Sequence, residues 1–154
     1  MTPAIRMLET AGVDHRLHEY ERGHDRRDFG LEAAAALGLP CEQVFKTLVV
    51  DLGDELCVAV IPVSCTLSLK RVAAALGAKR ATMCEPDRAE RSSGYVVGGI
   101  SPLGQKRQLR TVLDETAELF ETIFVSGGRR GLDLEVAPGD IARLLDAIAA
   151  DVCA

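Results

Sequence analysis

The chain has 154 residues, 47% of them hydrophobic, and a mean hydropathy of +0.10, a composition that predicts one folded domain over residues 1–154 and argues against intrinsic disorder. Its formal net charge of −5 leaves no basic surplus with which to hold a nucleic acid unaided, and DNA is not an expected partner. No apolar run reaches the ~20 residues of a membrane-spanning helix, and MTPAIRMLET lacks the apolar segment of a secretory signal, so a cytoplasmic protein without membrane contact is expected.

In chain order, Thr2 and Pro3 make an N-cap and first helical position, and Ile5, Met7 and Leu8 form an apolar stripe that ends at Gly12. A short strand is predicted around residues 15–20. GLEAAAALGLP is an alanine-rich helix closed by Gly38 and Pro40. Two strands, 44–51 and 56–63, flank the turn residues Gly53 and Asp54 and predict a hairpin. Ser68 opens the helix SLKRVAAALGA, with Leu69, Val72, Ala73 and Leu76 on one side and Gly77 as its stop. A short strand at 80–84 and a brief helix opened by Pro86 follow.

Residues 92–104, SSGYVVGGISPLG, hold glycines and a proline around a few apolar residues, which predicts a shaped loop containing a strand fragment. Strands recur at 109–113, 120–125 and 132–136, with Gly127, Gly128 and Gly131 in the turn between the last two. Pro138 opens a closing amphipathic helix through DIARLLDAIAA. This order predicts an α/β fold with a mixed, largely antiparallel β-sheet or barrel-like core and flanking helices. Neither GxGxxG nor a Walker A lysine is present, so dinucleotide and nucleoside triphosphate binding have no support.

The five cysteines (Cys41, Cys57, Cys65, Cys84, Cys153) include no CxxC pair and sit at no zinc-finger spacing, so reduced thiols without a structural metal are expected. Cys57, inside ELCVAVIPV, reads as a small apolar side chain. His15, His18 and His24 match no metal motif and read as solvated or locally hydrogen-bonded. The cations cluster at Lys70–Arg71, Lys79–Arg80, Lys106–Arg110 and Arg129–Arg130. Solvated faces explain such clusters, yet they leave room for a local phosphate-contacting patch.

One residue breaks the pattern. In VFKTLVV, Lys46 shares a strand face with Val44, Leu48 and Val50, while Phe45, Thr47 and Val49 take the other, and both faces look buried. A buried ammonium needs compensation. Lys46 either snorkels or pairs with a carboxylate such as Asp133 or Glu135, or else it stands at the mouth of a pocket that receives an anionic or carbonyl-bearing ligand. The adjacent glycines of GGISPLG, stiffened by Pro102, form either an ordinary tight turn or a cradle whose N–H groups meet an oxyanion or phosphate.

Taken together, MTPA, VFKTLVV, LKRVAAALGAKR, SSGYVVGGISPLGQK, VSGGRRGLDLEVAPGD and the closing helix resemble the bacterial YbaK/EbsC family over nearly the whole chain. These are free-standing deacylases similar to the editing insertion domain of bacterial prolyl-tRNA synthetase, and the likeness is greatest to the cysteinyl-tRNA(Pro) deacylases among them. The resemblance implies an enzyme that removes cysteine from mischarged tRNA(Pro) without a cofactor, with prolyl-tRNA synthetase as a partner. It implies that Lys46 is the essential lysine, and that the GxxxP loop, Gly98, Gly99, Ile100, Ser101 and Pro102, positions the terminal adenosine and the aminoacyl carbonyl. It further implies that Tyr20 and Phe29 are pocket aromatics, that Thr47 is a substrate-binding residue and that Asp133 is the aspartate of the GLD turn. The implied mechanism uses no protein nucleophile, the substrate's own thiol attacking its ester.

Read without the family, the same residues have plainer roles. Tyr20 is a strand-end aromatic, Phe29 packs at a helix start and Thr47 supports the sheet. Asp133, alternating with Leu132 and Leu134, belongs to a solvated face. Ser101 has no Ser-His-Asp relay near it. Two rival functions also stand at this point, a related deacylase for alanine or another small amino acid and a non-catalytic tRNA- or synthetase-binding module.

Overall fold

A computed structural model describes residues 1–21 and 28–154. Helix α1 (Pro3–Ala11) starts as its sequence dictates. The Thr2 hydroxyl accepts the Ile5 N–H at 3.3 Å, Pro3 supplies the first turn, and Gly12 closes it in the left-handed region at φ 67°. Strand β1 (His15–Glu19) follows, then α2 (Phe29–Leu37), capped by the Asp28 carboxylate on the Leu31 N–H.

The predicted hairpin is β2 (Phe45–Asp51) with β3 (Leu56–Pro62), in the register Lys46↔Ile61, its turn fastened by the Gly53 N–H on the Asp51 carboxylate. After α3 (Leu69–Ala75), β4 (Thr82–Met83) and α4 (Pro86–Ser93), the chain forms β5 (Thr111–Asp114), a short 3₁₀ helix (Glu115–Leu119), β6 (Ile123–Arg129), β7 (Leu132–Val136), α5 (Pro138–Leu145) and β8 (Ile148–Ala150).

The strands make two sheets, β1-β7-β6, all antiparallel, and β4-β2-β3-β5-β8, in which the β3–β5 and β5–β8 pairs are parallel. The expected mixed, largely antiparallel architecture is what the chain adopts. One core cluster lies between the sheets, where Val58 and Val60 of β3 meet Val125, Leu132 and Leu134 under α1 and α5. A second lies on the other face of β2–β3, where Val50, Cys57, Ala59 and Ile61 pack against Val72 and Ala73 of α3 and against its C-cap, Leu76. Cys57 is the small apolar side chain expected of it, fully buried, with burial pushing its thiol up to about 11.

Three boundaries differ from the sequence reading. The closing helix stops at Leu145 because Asp146 turns left-handed at φ 49°, and residues 148–150 become β8, which pairs with β5. Gly127 and Gly128 lie inside β6 at a bulge rather than in the turn, which falls at Arg130 and Gly131. Residues 94–104 hold turns and bends but no strand fragment. No helix among the described residues is long and apolar enough to cross a membrane.

Candidate active site

The position of the site follows from an unfinished strand edge. One edge of β2 is fully paired with β3, while the other meets β4 only at Val50 and Asp51, and the residue just before β2, Val44, makes an isolated parallel bridge to Phe124 of β6. Between these ends the two sheets part, and a cavity of about 390 Å³ opens along residues 45–49. That volume suits a small-molecule site. Its wall brings together Tyr20, Phe29, Lys46, Thr47, Gly98, Ile100 and Asp133, sequence-singled residues from five separate segments. Gly99, Ser101 and Pro102 lie outside the wall, and His24 lies outside the described residues.

Lys46 is half-buried and forms no ion pair among the described residues. Glu135, a partner the sequence offered, is taken by His18 at 2.9 Å and Thr122 at 2.7 Å. The stem of Lys46 runs beside Gly30, where a Cβ would stand 3.9 Å from that of Lys46 and only 2.3 Å from Val63 Cγ1. Glycine at position 30 is therefore what lets α2 press on the end of the hairpin.

Asp133 corrects the sequence reading. The alternation is right, since Leu132 and Leu134 do face the core, but the opposite face is not solvent. Asp133 pairs in register with Ser126 of β6 and His18 of β1, is 4% exposed, and borders the cavity. No described residue hydrogen-bonds its carboxylate, and burial pushes it up to about 7. Tyr20 lies close by, its hydroxyl also pushed up, first by burial and then by Asp133.

The glycine loop is held from behind. Tyr95 Oη donates to the Leu103 carbonyl at 2.7 Å, the Ser101 hydroxyl accepts the Leu103 N–H, and Glu90 accepts the Val97 N–H at 2.7 Å. The Gly99 N–H goes to the Val96 carbonyl at 2.9 Å, whereas those of Gly98 and Ile100, the residues on the cavity wall, have no acceptor among the described residues. Gly98 has φ 94°, and a Cβ there would lie 3.0 Å from the Phe29 ring. That ring is held by the Arg130 guanidinium, 4.8 Å from its centroid, itself paired with Glu32 at 2.7 and 3.1 Å.

Sequence reasoning missed Asp28, Gly30, Ser126 and the stretch Met83, Cys84, Pro86 and Ala89, which supply further wall. Ser126 could have been found by pairing the last two strands, and Asp28 as a helix cap. Cys84 carried no signal. Its thiol, pushed up by burial, donates to the Glu85 carbonyl at 3.4 Å and is no nucleophile.

A family model described as an aminoacyl-tRNA editing domain matches residues 28–144, which include every wall residue named here except Tyr20. A protein of Enterococcus faecalis (strain ATCC 700802 / V583), described as a candidate Cys-tRNA(Pro)/Cys-tRNA(Cys) deacylase, EbsC, is 37% identical over 153 residues, 98% of this chain and 92% of its own. Among solved structures, the hypothetical protein APE2540 matches with a TM-score of 0.88 at 25% identity, covering 99% of each chain. Another, described as a candidate trans-editing enzyme for prolyl tRNA synthetase, matches with a TM-score of 0.86 at 23% identity over 100% of this chain and 99% of its own, a likeness of fold. With its matched span and its full-length relative, the chain belongs to the aminoacyl-tRNA editing domain family, as its resemblance to the YbaK/EbsC deacylases implies.

Proposed function

We propose that this protein is a trans-acting deacylase that removes cysteine from mischarged tRNA(Pro), alongside prolyl-tRNA synthetase in the cytoplasm. The observation that carries the reading is that one small cavity is bordered by Lys46, Gly98, Ile100 and Asp133, whose ammonium, two loop N–H groups and carboxyl have no partner among the described residues. Such a reaction has a physical need. A synthetase pocket gains only ~1–3 kcal/mol from a small difference in side-chain size, so cysteine enters in place of proline and a second site must remove it.

No described residue of the cavity wall is an activated nucleophile, and cysteine carries its own. Its thiol adds to the ester carbonyl carbon, forming a C–S bond, while the N–H groups of Gly98 and Ile100 and the Lys46 ammonium stabilise the oxyanion. Asp133, poised near neutrality, takes the thiol proton. Collapse breaks the bond to the ribose oxygen, which recovers that proton, and the cyclic thioester of cysteine leaves to open in water. Tyr20 and Phe29 hold the acylated adenosine in the attacking geometry, and Thr47 offers its hydroxyl from the strand edge.

The test is deacylation of cysteinyl-tRNA(Pro) and alanyl-tRNA(Pro) by wild type and Lys46→Ala. The wild type should prefer the cysteinyl ester, because alanine has no thiol, and Lys46→Ala should lose about 10²-fold or more. Equal rates for the two proteins would end the assignment.

A further inference from the structure

Four cations of the sequence clusters are paired, whereas Lys70, Lys79 and Arg80 have no ion pair among the described residues. Arg71 pairs with Asp151, Arg110 with Glu55, Arg129 with Glu19 and Arg130 with Glu32. What sets one group apart is that its cations share a concavity, on the far side of α4. A groove of about 530 Å³ there is lined by Arg88 and Arg91 of the helix, by Lys106 and Arg107 of the following loop, and by Asp54 and Glu55. Arg88 pairs with Asp51, but Arg91, Lys106 and Arg107 have no carboxylate partner among the described residues. The groove also includes Ser92, whose buried hydroxyl has no hydrogen-bond partner among the described residues.

The backbone that carries two of these cations is fixed. The Lys106 N–H binds the Ser93 carbonyl at 2.8 Å and the Arg107 N–H binds the Ser92 carbonyl at 3.2 Å, so the loop is tied to the end of α4. This is a prepared concentration of positive charge on a chain whose net charge is −5. A cleft lined by one sign of charge draws a polyanion to one spot.

Helix α4 has two working faces. Pro86 and Ala89 border the proposed acyl cavity, whereas Arg88, Arg91 and Ser92 border the groove. A helix with its side chains is about 10 Å across, which about three stacked nucleotides span at ~3.4 Å each. We propose that this groove binds the phosphate backbone of the RNA about three nucleotides before the terminal adenosine, with Arg91, Lys106 and Arg107 as its phosphate contacts. The inference rests on the deacylase reading for the identity of the strand, and it names residues that neither the glycine loop nor the Lys46 strand contains. Because the contacts are few, intrinsic RNA affinity is weak and the acidic net charge is no obstacle.

The test uses uncharged RNA and involves no turnover. A fluorescent acceptor-stem minihelix of tRNA(Pro) ending in CCA is titrated with wild type, with the triple variant Arg91→Ala, Lys106→Ala, Arg107→Ala, and with the control Lys70→Ala, Lys79→Ala, at several salt concentrations. The triple variant should bind at least about tenfold more weakly at low salt, with a log–log salt slope shallower by about 2, while the control binds as wild type does. A triple variant with the wild-type melting temperature, affinity and slope would overturn the groove, even if cysteinyl-tRNA(Pro) is deacylated. Groove-dependent binding by a protein that deacylates nothing would instead overturn the deacylase reading and leave the groove standing.

Discussion

Asp114, at the end of β5, and Asp133, in β7, are buried almost equally, at 1% and 4% exposure. Their surroundings are opposite. Asp114 accepts the Val152 N–H at 3.0 Å, the Thr116 N–H at 3.2 Å and the Thr116 hydroxyl, and so ties the C-terminal segment to the 3₁₀ helix. Asp133 accepts nothing from any described residue and stands against a cavity. A buried carboxyl whose hydrogen bonds are all made belongs to the architecture, whereas one left open at a cavity is held at a cost to stability, which suits a group kept for chemistry.

The largest effect expected is a change of opposite sign at these two positions. Asp133 keeps its proton in the folded state up to about pH 7, whereas the unfolded chain releases it near the ordinary value of 3.8. Stability should therefore fall as pH rises from about 4 to about 7 and level off above, by at most roughly 4 kcal/mol. Asp133→Asn abolishes that slope, is more stable than wild type at pH 8, and deacylates poorly. Asp114→Asn should lose about 2–3 kcal/mol at neutral pH, because an amide cannot accept all three hydrogen bonds. Urea unfolding at pH 5 and pH 8 separates them. Parallel pH curves for wild type and Asp133→Asn would remove the contrast.

Gly98 sharpens the same contrast on the backbone. Its positive φ and its contact with the Phe29 ring leave no room for a methyl group, so Gly98→Ala should cost about 2 kcal/mol. It should also lower kcat for cysteinyl-tRNA(Pro) by more than that destabilisation explains, since the loop N–H groups move with it. A variant that is destabilised yet fully active would place the loop with the architecture.

The sequence was most legible where the signals are local. Thr2–Pro3, Ser68 and Pro86 open helices and Gly53 turns the hairpin, all within a few residues of the element they govern. It was least legible where partners are distant. Residues 148–150 carry a helical pattern, but the open edge of β5 some 35 positions earlier recruits them as a strand. At the site, the odd chemistry of Lys46 and of the glycine loop was visible, and period-2 alternation put Asp133 opposite its leucines. What covers that opposite face depends on α2, whose Ala33 and Ala34 pack with Phe124 of the neighbouring strand, and no spacing within β7 encodes that. Likewise α4 reads only as a brief helix opened by Pro86 until the cavity and the groove give each of its two rows a neighbour.

The smallest expected effect concerns two hydroxyls. Ser101 is completely buried and accepts the Leu103 N–H, whereas Thr47 Oγ1 is buried with no partner among the described residues and borders the cavity. An unpaired buried hydroxyl costs about 1–3 kcal/mol, so Thr47→Val, nearly the same shape, should stabilise the protein by about 1 kcal/mol. Ser101→Ala should cost about that much, because the Leu103 N–H then loses its acceptor. If the Thr47 hydroxyl is kept for substrate, Thr47→Val also raises KM for cysteinyl-tRNA(Pro) severalfold, and Ser101→Ala leaves it unchanged once folding is matched. A Thr47→Val protein that gains stability and keeps its KM would mean that the hydroxyl meets no ligand, and the strand edge would then contribute to the site through Lys46 alone.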